Sequence, residues 1–418
     1  MTFFGLSSDA VLVLGIFVVV YAGMMLGGLP RLMLDRTGVA LLGAIAIIGL
    51  REMTPEQAAR AVHLPTMLLL FSFMVISAQM RLGGFYSAVT RRIAALRVGP
   101  GGLLAVVIFV AGALSAVFSN DIVCLAVAPV LAEACLRRRL DPVPFLLALA
   151  CASNIGSAAT LIGNPQNMLI GEVLQLSFAG YARDALLPVV LGLLALWAVL
   201  AWPVHRGVLL VDPEANQLAA MTAEEPRFDA WQTFKGLFVA LGLVAVFVFT
   251  DWPRDVAALL AAGMLLLSQR FHSSKVMGLV DWPLLILFMG LFIVNHALAE
   301  TGLVSQALDG LAAQGLQLRD PGVLFGAALV LSNLVSNVPA VMLLLPAADG
   351  PHAGATLALV STMAGNLLIV GSIANIIVVD AARKCGIRID WKTHARVGLP
   401  VTVLTLGLTA GWLALQSA

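Results

Sequence analysis

Long apolar runs separated by short polar turns dominate the chain. They fall at about residues 9–28, 38–50, 64–80, 101–135, 145–175 and 184–204, and again at 234–250, 255–268, 283–300, 321–346, 355–380 and 397–416. A run needs about 20 apolar residues to cross a bilayer as a helix, and most of these reach that length. The runs at 38–50 and 255–268 are shorter, so they predict tilted crossings or crossings flanked by snorkelling side chains. The polar stretch from His205 to Trp231 separates the two sets. This divides the chain into a first repeat at 1–204, a cytoplasmic linker at 205–233 and a second repeat at 234–418.

Inside the runs the pattern is broken at four places. The stretch Ala152–Gly171, ASNIGSAATLIGNPQNMLIG, sits in apolar surroundings yet carries Ser, Asn, Thr and Gln with Gly156, Gly163 and Pro165. Unwound backbone is tolerated at membrane depth only where protein or a polar cavity satisfies it. Such a break therefore reads as an ion or substrate site. LIGNPQN at 161–167 matches IVGSIAN at 369–375, and SAVFSND at 115–121 matches SNLVSNV at 332–338. VALLGAIAIIGL at 39–50 matches AALLAAGMLLLS at 257–268, and LPTMLLLF from Leu64 matches WPLLILF from Trp282. Four matches in one order predict a tandem duplication.

The segments 101–135 and 321–346 each carry a Ser-Asn tip near the middle and are expected to be re-entrant hairpins. Arg81, Arg91, Arg92 and Arg97 precede the first and Arg137, Arg138 and Arg139 follow it, while only Arg319 lies beside the second. Basic residues mark cytoplasmic loops, so the two hairpins are expected to open on opposite faces. Ten crossings, five per half, then put 19 of the 24 basic residues inside and 5 outside, with both termini outside. An odd number per half inverts the second copy. The expected fold is an all-α polytopic membrane protein with two inverted repeats, about ten transmembrane helices, two hairpins and two broken helices.

Composition narrows the class. The chain has 418 residues, 60% hydrophobic and 11% charged, with mean hydropathy +0.98, far from the roughly 25% charge of soluble domains. A net charge of +1 argues against a nucleic-acid partner. Cys124, Cys135, Cys151 and Cys385 show no paired or metal-ligand spacing. The start, MTFFGLSSDA, lacks a basic n-region and a small-residue cleavage site, so no cleaved signal peptide is expected. The chain carries no HExxH, GxSxG or phosphate-binding Gly-rich loop, so no enzyme activity is expected.

The motifs SND at 119–121, TLIGNPQN at 160–167, LVSNVPA at 334–340, GNLLIVGSIAN at 365–375 and GLFIVNHALAETGLV at 290–304 resemble those of the ion transporter superfamily. That group holds arsenite/antimonite permeases, a class of sodium/proton antiporters and divalent anion–sodium symporters. The resemblance covers almost the whole chain. It implies a scaffold, a mobile transport domain with opposed hairpins, elevator-type movement and a homodimer. The symporters resemble one another in carrying Ser-Asn-Thr at each tip to hold substrate carboxylate. Here the tips read Ser119-Asn120-Asp121 and Ser336-Asn337-Val338, which argues against a dicarboxylate and for a small inorganic substrate or a cation.

The expected substrate ligands are Ser119, Asn120, Asn164, Ser336, Asn337, Ser372 and Asn375. A coupling ion, proton or sodium, is assigned to Asp121 with Asn120, Asn154, Gly163, Asn337 and Asn366. An ionisable group at membrane depth costs about 2.5–3.5 kcal/mol on insertion scales and is functional by default; the alternative for Asp121 is capping the half-helix that starts there. Asn167 is a further neutral ligand. For any single Asn the alternative is a helix-to-helix hydrogen bond. His296 and Glu300, one turn apart, form a candidate proton relay. Cys124 and Cys151 lie near the first breaks, where a thiolate would suit arsenic(III), although small-residue packing is the favoured reading. No cofactor is expected beyond sodium. The leading expectation is proton-coupled efflux of arsenite or antimonite across the plasma membrane. A sodium/proton antiporter and a sodium-coupled anion symporter are the alternatives, with a channel least favoured.

Overall fold

The structure is a computed structural model and describes the whole chain except residues 1, 4, 5, 30, 206–227, 351 and 418. Most of the linker assigned to 205–233 therefore lies outside the described residues. Apart from a two-residue antiparallel pairing of Thr2–Phe3 with Leu6–Ser7, the regular structure described is helical.

The first half runs α1 (Ser8–Leu26), α2 (Arg36–Gly49), α3 (Pro55–Ala61), α4 (Leu64–Leu82), α5 (Phe85–Ala94), α6 (Pro100–Val117), α7 (Asn120–Arg137), α8 (Pro142–Ser157), α9 (Pro165–Val173) and α10 (Phe178–His205). The second repeats this order: α11 (Ala230–Phe249), α12 (Arg254–Leu266), α13 (Ser273–Met277), α14 (Trp282–Glu300), α15 (Leu303–Ala313), α16 (Pro321–Val335), α17 (Asn337–Leu344), α18 (Ala353–Ala364), α19 (Ile373–Lys384) and α20 (Trp391–Ser417). Among the described residues seven helices are long and apolar enough to cross a membrane: α1, α4, α6, α10, α11, α14 and α20.

Local chemistry sets the helix starts. Proline stands at the first or second position of α3, α4, α6, α8, α9, α14 and α16, where its missing N–H costs nothing. Asp35, Thr54, Asp141, Asn164, Asp281 and Ser372 each cap with a side-chain oxygen. The short helices α3, α5, α13 and α15 have no counterpart in the apolar runs. α5 turns Tyr86 and Thr90 inward and Arg91 and Arg92 outward.

Packing comes in exchanged pairs, as a two-fold relation between the halves requires. α2 packs on α14 and α12 on α4; α1 packs on α14 and α11 on α4; α8 meets α19 and α18 meets α9. Two bodies result. One holds α1–α4 with α11–α14, and the other holds α6–α10 with α16–α20. α5 and α15 lie between them in the chain.

Both hairpins close at their mouths. Arg138 donates to the carbonyls of Ala94 (3.3 Å) and Val98 (3.0 Å), tying the end of α7 to the start of α6. Arg319 pairs with Asp349 at 2.6 Å, tying the start of α16 to the residues after α17. The tip of the first hairpin is buried by an aromatic cluster: Phe118 lies 5.9 Å from Tyr86 and 6.1 Å from Phe85.

One ion pair links the two bodies. Glu172, near the end of α9, is buried, and its Oε1 lies 2.9 Å from Nε of Arg254, the first residue of α12. Arg254 also donates to the carbonyls of Leu176 (3.0 Å) and Gly171 (2.8 Å), so it terminates α9 as well as neutralising its carboxylate. Removing one member of a buried pair strands the other charge, at a cost of about 3–5 kcal/mol. Arg254→Met is expected to lose stability of that order in thermal unfolding of the purified protein. Glu172→Met/Arg254→Met together should recover most of it.

Candidate functional site

The tips and breaks meet inside the second body. α8 ends at Ser157 and α9 starts at Pro165, leaving 158–164 outside regular helix; α18 ends at Ala364 and α19 starts at Ile373, with a short 3-10 turn between. The backbone N–H of Asn120 donates to the Gly163 carbonyl at 3.1 Å. Asn337, with its amide nitrogen toward the carbonyls, donates to Gly371 (3.1 Å) and Ser361 (3.0 Å). Each tip therefore rests on the break of its own half. A side chain at Gly163 would come within 2.2 Å of the Ser157 carbonyl and 2.7 Å of that of Ser115, which is why this contact needs glycine.

The two breaks are built alike. Asn167 Nδ2 donates to the carbonyls of Thr160 (3.0 Å) and Ser157 (3.5 Å). Asn375 Nδ2 donates to those of Leu368 (3.1 Å) and Gly365 (2.8 Å), the same seven and ten residues upstream. Each amide thus satisfies two carbonyls freed where the helix unwinds. Asn164 and Ser372 cap the following half-helices, accepting from Asn167 N and Ala374 N.

Asn154, on α8, joins the halves. Its nitrogen donates to Asn366 Oδ1 (2.9 Å) and Asn375 Oδ1 (3.1 Å). Its oxygen accepts from Asn120 Nδ2 (3.1 Å) and Ser372 Oγ (2.9 Å). All four bonding capacities of the amide are used, and they reach the first tip and the second break together. Asn164 Nδ2 donates to Ser157 Oγ (2.9 Å) and Thr362 Oγ1 (3.3 Å), and Gln166 Nε2 to the same Thr362 hydroxyl (3.2 Å).

The structure brings together Asn120, Asn154, Asn366, Ser372 and Asn375 through direct bonds, with Asn164 and Gly163 beside the first tip. Ser119 and Ser336 are the turn residues of the tips, and Ser336 has φ 75°. Asp121, half-buried on the first turn of α7, accepts no hydrogen bond from a described residue, and no side chain caps this helix. His296 and Glu300 lie 3.8 Å apart on an exposed face of α14, in the first body. Cys124 and Cys151 are buried free thiols. Among the described residues no cluster of His, Cys, Asp and Glu could hold a metal ion.

Several buried oxygens at the site lack a described partner, and of their residues Ser115, Ser332 and Asn333 were not singled out from the sequence. Ser115 Oγ, one turn before the first tip, and Asn120 Oδ1 are buried without a described partner. In the second half Ser332 Oγ, the counterpart of Ser115, and Asn333 Oδ1 are likewise unpartnered. Only their position four residues before each tip Ser, within the paired motifs, could have pointed to the two serines.

A citrate transporter family model matches residues 16–364. The chain belongs to the citrate transporter family. An uncharacterized transporter of Mycobacterium tuberculosis is 31% identical over 417 residues, covering 91% of this chain and 94% of its own. The silicon efflux transporter LSI3 of Oryza sativa subsp. japonica is 28% identical, covering 91% and 92%, and the putative transporter arsB of Dictyostelium discoideum 22% identical, covering 90% and 86%. In fold, the chain is similar to the Alcanivorax borkumensis YdaH transporter, with TM-score 0.55 over 97% of this chain and 98% of that one, at 14% identity. The family member described here is therefore a multi-pass secondary transporter, consistent with the ion transporter superfamily motifs.

Removing the Asn154 amide strands the Asn120 and Ser372 donors and two amide oxygens. Each unsatisfied buried group costs about 1–3 kcal/mol. Asn154→Ala is expected to lower stability by at least about 2 kcal/mol on that basis and to abolish transport, read by thermal unfolding and by flux into liposomes.

Proposed function

We propose that the chain exports a small hydroxylated oxyacid, with arsenite or antimonite as the leading substrate and protons as the coupling ion. One observation carries this reading. The tips and breaks present neutral amides and hydroxyls, and the one ionisable side chain in either tip is Asp121, whose carboxylate has no described partner. Neutral donors and acceptors suit a polyhydroxylated acid that is uncharged near neutral pH. The tip residues themselves, Ser119-Asn120-Asp121 and Ser336-Asn337-Val338, give a citrate trianion no cationic side chain to replace its hydration. The relative named a silicon efflux transporter supports efflux of a small inorganic substrate.

The partition into two bodies supports elevator-type movement of the body that carries the site; in this proposal the protein is a homodimer in the plasma membrane with both termini outside. Asp121 is the coupling carboxylate in this scheme. The second reading is sodium coupling, as an antiporter or anion symporter. The unpartnered oxygens of the equivalent serines Ser115 and Ser332, with those of Asn120 and Asn333, favour it, because hard cations take such ligands.

Expression in a bacterium lacking metalloid exporters tests the substrate. Survival on arsenite or antimonite should rise, with lower metalloid content per cell. Sodium-dependent pH changes in vesicles without metalloid flux would support the second reading instead. Asp121→Asn keeps the size and cap propensity of the residue but removes the titratable charge. The variant is expected to fold and bind substrate and to lose the pH dependence of flux in liposomes. Wild-type pH dependence in the variant would remove Asp121 from the mechanism.

A further inference from the structure

The last helix of each half sends one polar side chain back to the break that precedes it. Tyr181, the fourth residue of α10, donates its hydroxyl to the carbonyl of Ala158 at 2.7 Å. His394, the fourth residue of α20, has Nε2 3.0 Å from the carbonyl of Asn366. A carbonyl only accepts, so Nε2 carries a proton, and Nδ1 has no described partner. With 161–167 set against 369–375, Ala158 and Asn366 are equivalent positions, each the first or second residue after α8 or α18 ends. Both side chains are buried. The space beside each is kept open by a small residue one turn on. Ala185 is fully buried in the first half, and in the second a side chain at Gly398 would lie 2.4 Å from the Asn366 carbonyl and 3.0 Å from His394 Nε2.

Each anchor also reaches the amide network. Tyr181 OH accepts from Asn167 Nδ2 at 3.2 Å. Asn366, held through its backbone by His394, accepts through its side chain from Asn154, which in turn bonds Asn120 at the first tip. Two different residue types occupy one geometric role. That recurrence points to a donor requirement at this place, since a tyrosine and a histidine share a buried N–H or O–H here and little else.

We propose that His394 and Tyr181 are positioning residues of the transport site, each holding one helix break in register with the hairpin tip that rests on it. The assignment rests on the reading of the breaks as the transport site, but its first test needs no substrate. His394 donates through Nε2, so an amide N–H can replace it.

Hydrogen–deuterium exchange on the purified full-length protein at fixed pH reads the two breaks separately. His394→Ala is expected to speed exchange across 365–372 by about tenfold, as loss of a local anchor should, and to leave 158–164 unchanged. Tyr181→Phe should do the reverse. His394→Gln, which keeps an N–H donor, should restore wild-type exchange across 365–372, and in liposomes its arsenite flux should keep the wild-type pH profile with KM close to wild type. Unchanged exchange in both His394→Ala and Tyr181→Phe would overturn the proposal. So would a His394→Gln variant with wild-type exchange but no pH dependence of arsenite flux, because His394 would then carry protons instead of positioning the loop. If the wild-type protein moves no arsenite, the proposed substrate fails while the exchange measurements still decide the anchors.

Discussion

Backbone that leaves helical conformation inside a bilayer must find its hydrogen bonds within the protein, and this chain meets that requirement twice with one design. Asn167 and Asn375 each return to two carbonyls released upstream, while Asn164 and Ser372 quiet the N–H groups of the half-helix downstream. Among the atoms left without a described partner are the oxygens of Ser115, Asn120, Ser332 and Asn333, which lie at the first tip or within one turn before either tip. The polar site is thus the residue left over after an apolar fold has satisfied its own interruptions.

The surrounding packing gathers that arrangement into one body. Every direct bond among the asparagines joins elements of the body formed by α6–α10 and α16–α20. The hairpin mouths are clasped by Arg138 and Arg319 within the same body or its bridging segment. By contrast, Glu172 and Arg254 join this body to the other. The site therefore lies within one body, and this pair spans the boundary to the other.

Much of this was legible in the sequence, for definable reasons. Gly163, Pro165 and Gly371 interrupt runs that are otherwise apolar, and an interruption there has few structural outcomes. Arg97 and Arg138 flank a Ser-Asn turn, which placed both ends of the first hairpin on one side. The short helices α3, α5, α13 and α15 were not legible, because a half-turned amphipathic segment leaves no apolar run long enough to stand out. Nor was the partner of Glu172: the distance along the chain to Arg254 is long, and no local pattern specifies such a pairing. The amide of Asn154 was visible as an unusual residue. Its four partners depend on how two halves dock, so its role in joining them could be read only from coordinates.

That joining has a consequence for the history of the chain. The halves descend from one repeat in pattern, yet Asn154 stands opposite Thr362, and Asn366 stands opposite Ala158. A protein assembled from two copies of the first half would have an asparagine reaching across for an amide oxygen that the alanine does not supply. The copies have become complementary rather than interchangeable, and neither can drift at these positions without a compensating change in the other.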